Sequence, residues 1–201
     1  MKLVLVTFAL VAAVTVALAA EEAATMKYDL GSENGKWKFV TGQWVRRASG
    51  NRQVLAQTVE TQPWAVALLE DRRFGDLDVT VRFRPISGKE DASGGIIFRA
   101  QDGRNYFLVR ANALENNFRL YTIVNGKRST IASARVAEPA LGAWHTIRVV
   151  AAGPKIRASL DNAQLLEHDD RTFSQGWIGL WTKADSVTEF ADLEVTGAVA
   201  K

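Results

Sequence analysis

Cysteine is absent from the 201-residue sequence. Disulfides therefore add nothing to stability, and thiol nucleophiles and thiolate metal sites are excluded. Histidine is scarce: His145 stands among alternating strand residues in WHTIRVV and His168 in the loop EHDD, so neither belongs to a nucleophile triad or a transition-metal cluster. Any metal site would rest on oxygen ligands, which favours calcium over zinc. A strong charge imbalance is missing too. The formal charge is +3, and one unit of it is Lys2 in the leader described below. Acids and bases are interspersed, which argues against a nucleic-acid partner, because neutralising phosphates takes clustered bases. No segment keeps a helical period over three turns, and no linker, repeat or low-complexity tract divides the chain.

One long apolar run is present, MKLVLVTFALVAAVTVALAA, with Lys2 ahead of it and small residues Ala17, Ala19 and Ala20 at its end. This is the build of a secretory signal peptide over residues 1–20, cut after Ala19 or Ala20. An uncleaved anchor is the competing reading, since the run approaches the length of a thin span. No second such run follows, so residues 21–201 are expected as one exported domain, secreted or periplasmic, with no stable membrane span after cleavage.

From Trp37 onward the dominant period is two. WKFV, QWVRR, RQVLAQTV, WAVALL, LDVTVRFR, GGIIFRA, NYFLVRA, FRLYTIV, WHTIRVVA, KIRASL, WIGLW and VTEFADLEV are short alternating runs with Gly, Asn, Asp or Pro between most of them. That pattern predicts an all-β, antiparallel sandwich or barrel. Asn125-Gly126 is the clearest hairpin turn, with Asp102-Gly103 and Asp161-Asn162 as further candidates. Pro63, Pro85, Pro139 and Pro154 are placed at strand edges.

Parity assigns the faces. Ile96, Phe98 and Ala100, then Phe107 and Val109, then Phe118, Leu120 and Val124 are expected to fill the interior. Ile97 and Arg99, Tyr106, Leu108 and Arg110, and Arg119, Tyr121 and Ile123 then share the outer face. Two readings fit that face. It is an ordinary solvated surface, with arginine stems over apolar neighbours and acids such as Asp78 or Glu115 as cross-strand pairs. Alternatively it is a binding face, where tyrosine plates and guanidinium forks meet the apolar faces and hydroxyl rims of sugar rings. The loop ANALENN adds Asn112, Glu115, Asn116 and Asn117 beside it. The strand and loop LWTKADSVTEF add Trp181, Lys183 and Asp185 as a closing end. Trp37, Trp44, Trp64 and Trp144 are assigned to the core or its rim.

The run DLDVTVRFRP…GGIIFRAQDGRNYFLVRAN…NFRLYTIVNGKR…LGAWHTIRVVAAGPKIRASLDN…GWIGLWTKADSVTEFADLEV resembles the concanavalin-A-like lectin/glucanase superfamily. Within it the chain is most similar to the 3-keto-disaccharide hydrolase family and its laminin-G-like relatives, over about residues 28 to 196. The resemblance implies a two-sheet jelly roll whose concave face binds carbohydrate, and it implies activity on keto-sugar glycosides. Arg99, Asn105-Tyr106 and GLWTKADS match recurring positions. The paired acids of the superfamily's retaining glycosidases, Glu-x-Asp-x-x-Glu, have no counterpart here. A keto-sugar needs less, because its carbonyl acidifies the neighbouring C–H and a single base can drive elimination. Glu115 is the candidate base, with Arg99 or Arg110 polarising the carbonyl oxygen. Asp29 and Asp192, near the paired chain ends, are the candidate ligands of a structural calcium, although Ala191 stands where relatives often carry another acid. No other cofactor is required. The expected partner is a carbohydrate or glycoside. The alternatives are a non-catalytic module binding a protein or cell-envelope component, and a purely structural surface protein.

Overall fold

The computed structural model describes residues 24–199, and the expected leader, residues 1–20, lies outside the described residues. Fourteen strands follow in chain order: β1 Ala24–Tyr28, β2 Trp37–Thr41, β3 Trp44–Ser49, β4 Arg52–Gln57, β5 Thr61–Ser87, β6 Ser93–Asp102, β7 Asn105–Asn112, β8 Asn117–Val124, β9 Lys127–Arg135, β10 His145–Ala152, β11 Lys155–Leu160, β12 Ala163–Asp169, β13 Gly176–Ala184 and β14 Val187–Val199. No helix among the described residues is long and apolar enough to cross a membrane.

Strand β5 organises the fold. The sequence reads it as two strands, but it runs unbroken through Pro63 and Pro85 and changes partners near Gly75. Its first half pairs with β2 and β13; its second half pairs with β10 and β14. The front layer is therefore β2-β5-β13-β6-β7-β8-β9, and the back layer is β12-β11-β10-β5-β14 with β1 and β4 on β14 and β3 on β4. All pairings are antiparallel, giving the two-sheet jelly roll.

Between the layers, Phe98, Phe107, Phe118 and Leu120 of the front pack on Val79, Val81, Phe83, Ile147, Val149 and Val195 of the back. Phe98 and Phe107 are paired across β6 and β7 and stack with ring centres 5.3 Å apart. Each such buried side chain contributes about 1.5–3 kcal/mol, which is how a chain without cross-links holds together. Two expected turns close as the sequence predicts. Asn125 and Gly126 (φ 52° and 80°) join β8 to β9, and Asp161 and Asn162 (φ 48° and 69°) join β11 to β12. The β6–β7 turn is centred one residue later than the sequence suggests, with Asp102 paired to Asn105.

The parity assignments fail at two places: Val124, expected inside, is exposed at the end of β8, and the faces are exchanged at Arg99 and Ala100. Arg99 takes a left-handed φ of 49° at a bulge in β6, where the β6–β7 register breaks after Phe98. The extra residue reverses the faces, so Ala100, expected inside, joins Ile97 on the outer side. Arg99 turns instead toward Gly75 and Phe173 at the edge of the sandwich, with Nε donating to Gly75 O at 3.0 Å and Nη1 to Phe173 O at 3.2 Å. Gly176 makes the bulge tolerable, because a Cβ there would lie 2.4 Å from the Arg99 carbonyl carbon and 2.3 Å from Ala100 O.

Candidate functional site

The outer side of the front layer is a second buried cluster: Val66 and Leu68 from β5, Trp181 from β13, Ile97 and Ala100 from β6, Tyr106 and Leu108 from β7, and Tyr121 and Ile123 from β8. Of the residues assigned to this face from the sequence, Tyr106, Tyr121 and Trp181 do meet there. Trp64, assigned to the core or its rim, packs partly buried against them on the same side. Its ring centre lies 5.9 Å from that of Trp181. The alternation of WAVALL carries that placement, since Trp64 shares parity with Val66 and Leu68.

Arg128 of β9 was not singled out by the sequence, yet its guanidinium sits 4.8 Å from the Tyr121 ring centre, 5.6 Å from Trp64 and 5.9 Å from Trp181. Parity across the Asn-Gly turn would have found it, because Arg128 pairs with Ile123. These four residues and Tyr106 form an aromatic box around one cation. Tyr106 is 0 % exposed. Burial pushes its phenol above the ordinary tyrosine value, against smaller opposing effects of Trp181 and Arg128, so the hydroxyl keeps its proton. The Tyr121 hydroxyl and Arg128 Nη1 are buried with no protein hydrogen-bond partner among the described residues. The Tyr106 hydroxyl and Trp181 Nε1 are buried facing one another, short of full hydrogen-bond geometry, and have no other partner among them. Each such group costs about 1–3 kcal/mol to leave unsatisfied. Such groups gathered on one patch call for an explanation beyond the packing of the core.

The other end of the face is a closed ion cluster. Arg110 reaches Asp91 Oδ1 (3.3 Å), Glu115 Oε2 (2.8 Å) and Asn117 Oδ1 (2.9 Å). Asn112 donates to Asp91 (2.8 Å) and accepts from the Ala92 and Leu114 amides. Asn117 donates to Glu115 (2.7 Å), and Lys183 Nζ donates to Asp91 Oδ2. The Asp185 carboxylate accepts the backbone amides of Lys89, Glu90 and Asp91, which hold it below the usual carboxylate range although burial opposes them. Asn112, Asn117 and Asp185, expected as ligand contacts, thus have their polar ends engaged inside the fold. Arg110 is tied up by neighbouring acids, and only Arg119 of the expected arginines stays at the rim, 3.9 Å from Glu115.

Glu115, the expected base, fits that role poorly. Burial raises its carboxyl, but hydrogen bonds from Arg110 and Asn117 and the charges of Arg110 and Arg119 outweigh burial and hold it at about 2. A carboxylate that acidic accepts a proton with little driving force at neutral pH. Asp29 and Asp192 line one depression of about 300 Å³, as the chain-end pairing suggests. Asp192, however, is paired with Arg52, Asp29 Oδ1 accepts the Gly31 amide, and Glu194, which lines the same depression, is paired with Lys27 at 3.1 Å. No group of three such residues able to hold a metal ion is found among the described residues. That donor set falls short of the six to eight oxygens calcium takes.

Comparison with known proteins places this geometry. The model of the 3-keto-alpha-glucoside-1,2-lyase-like domain matches residues 29–196. A carbohydrate-binding module, CBM66 from Bacillus subtilis, superposes with a TM-score of 0.70 at 19 % identity, covering 80 % of this chain and 95 % of its own. A Bacillus subtilis protein of unknown function with a galectin-like fold gives 0.66 at 15 % identity (90 % and 99 %). The Bacillus licheniformis β-glucanase gives 0.61 at 10 % (86 % and 97 %). No curated protein matches the chain. At these identities the structural likeness is one of fold, and the matched length decides the family: the chain belongs to the 3-keto-alpha-glucoside-1,2-lyase-like domain family.

Proposed function

We propose that this chain is an exported sugar-binding jelly roll whose seat is the box of Trp64, Tyr106, Tyr121, Arg128 and Trp181, with keto-sugar glycosides as its ligand class. The observation that carries the reading is the set of buried hydroxyl, indole and guanidinium groups with no well-formed protein hydrogen bond, set between aromatic rings. Rings of this kind supply flat apolar contact, and the unpartnered donors match hydroxyl and carbonyl oxygens. Arg128 and Trp64, both only partly buried, form the cover that a sugar would displace. Export rests on the leader sequence.

Elimination on a 3-keto-glycoside is the second part of the reading, and the family match favours it. In that reaction the C2 proton goes to a base, the C1–O bond breaks, a C1–C2 double bond forms, and the aglycone leaves with a proton. This chain's part is to hold the keto oxygen against the Tyr106 and Tyr121 hydroxyls and the Arg128 guanidinium as charge builds on it. Ion-pairing assigns Glu115 to orienting Arg110 rather than to accepting the proton.

The test is calorimetric titration of the protein with a 3-keto-disaccharide and its unoxidised parent, alongside product analysis. Arg128→Ala and Tyr121→Phe should each weaken binding about tenfold, the loss of one charged or buried hydrogen bond. Binding without product release leaves the sugar seat and removes the elimination. Unchanged affinity in both variants removes the seat.

A further inference from the structure

A second cleft lies at the edge of the sandwich, where the β10–β11 turn, the β12–β13 loop and the bend of β5 meet. Asp76, Arg99, Pro154, Asp170, Arg171 and Phe173 line a cavity of about 310 Å³. An adjoining depression of about 500 Å³ shares Pro154, Asp170 and Arg171 with it. Together they match the size of small-molecule clefts, about 300–1,000 Å³.

Arg99 is what makes this more than a surface dent. Its side chain is 1 % exposed, and two of its nitrogens are spent on Gly75 O and Phe173 O. Its Nη2 has no hydrogen-bond partner; the nearest acid, Asp76 Oδ1, stands off at 3.6 Å and accepts the Gly153 amide instead. The residue is also held at φ 49°, a left-handed conformation that costs a non-glycine residue of order 1–3 kcal/mol. A buried, strained guanidinium that lines a cleft, its Nη2 held only by the longer ion pair to Asp76, is not explained by packing of the core.

The charges around it select the ligand class. Across the two depressions Arg99 and Arg171 face Asp76 and Asp170, and the third acid, Asp169, is paired with Lys155 at 3.2 Å, so an anion meets carboxylates and a cation meets two guanidiniums. A neutral polyhydroxylated molecule uses both kinds of group: its oxygens accept from guanidinium and its hydroxyls donate to carboxylate. Pro154 and Phe173 supply apolar contact for ring carbons, with Phe173 fixed edge-on against Phe107 at 5.3 Å. We infer that this edge cleft is a second binding site, separate from the aromatic box, for a neutral sugar of about disaccharide length.

Replacing Arg99 risks the fold, so the test falls on exposed residues. The 15N-labelled protein is titrated with sucrose and with maltotriose at up to about 20 mM, well above a millimolar Kd, and separately with sodium sulfate. The expected result is saturable movement of the Gly153, Thr172 and Ser174 amides with a sugar. Asp76→Asn and Arg171→Ala should weaken that response at least fivefold, with unchanged melting midpoints. Sugar shifts confined to the Trp64 and Trp181 indole N–H signals overturn the edge site and leave the box standing. Shifts confined to the edge do the reverse. Movement with sulfate but not sugar overturns the ligand class, and silence or an undiminished response in both variants overturns the site.

Discussion

Two halves of one sheet face have opposite hydrogen-bond economies. At the Asp91 end, Arg110, Asn112, Asn117, Lys183 and two carboxylates pair with one another, Arg110 Nε being left over, and Asp185 pins the loop that carries Asp91. A few ångströms along, where Arg110 sits 6.0 Å from the Tyr121 ring centre, the Tyr106, Tyr121, Trp181 and Arg128 polar atoms have no such partners. Both halves are buried, so exposure does not separate them. What separates them is whether the fold itself uses the polar groups. The first half is held by its own ion pairs, and the second is the seat proposed above for a sugar.

The largest effect that can break this contrast is at Asp91. The residue is fully buried, and Asp91→Ala leaves Arg110, Lys183 and Asn112 without their shared acceptor. Losing one partner of a buried pair typically costs about 3–5 kcal/mol, so the urea midpoint should fall steeply. A loss under 1 kcal/mol would mean that the cluster is not structural. A smaller, pH-dependent effect belongs to Glu115. Its folded value of about 2 lies below the ordinary 4.5, so it stabilises the fold above about pH 4.5, and that contribution fades as pH falls toward 2. The gap corresponds to at most about 3 kcal/mol, and partial exposure (34 %) screens it to roughly 1–2 kcal/mol. Glu115→Gln should therefore be less stable than the parent at pH 6 by that amount and equal to it near pH 2. Parallel urea curves at both pH values measure the difference, and a gap that persists at pH 2 rules out the titration of Glu115 as its source.

Much of the architecture could be read from alternation alone. Parity placed Phe98, Phe107 and Leu120 inside and Tyr106, Tyr121 and Ile123 outside, because a period of two is a direct statement about faces. The reading failed where the backbone departs from that period. Nothing in IIFRAQDG announces that Arg99 adopts a left-handed φ, and the space for it comes from Gly176, far along the chain. The ion cluster was hidden for a related reason: Asp91 meets Arg110 only once β6 and β7 are paired. Arg128 was legible from its pairing to Ile123, and the density of aromatics around it was the signal passed over.

The smallest effect separates the two halves most sharply. Tyr106→Phe deletes a buried hydroxyl that has no well-formed hydrogen bond in the protein and keeps the ring packed on Trp181 and Leu108. In the ion cluster, deleting a carboxylate strands charged donors; here the one group the hydroxyl faces is the Trp181 indole N–H, at poor hydrogen-bond geometry. Stability should therefore hold or rise by up to about 1 kcal/mol, because an unsatisfied buried group is a cost to the folded state. Affinity for the sugar should move the other way, since the same hydroxyl is a donor held ready for the ligand. Thermal unfolding and sugar titration of the one variant settle both signs. If stability instead drops by more than 1 kcal/mol, the hydroxyl is satisfied by bound water in the resting protein. The box would then be as closed as its neighbour.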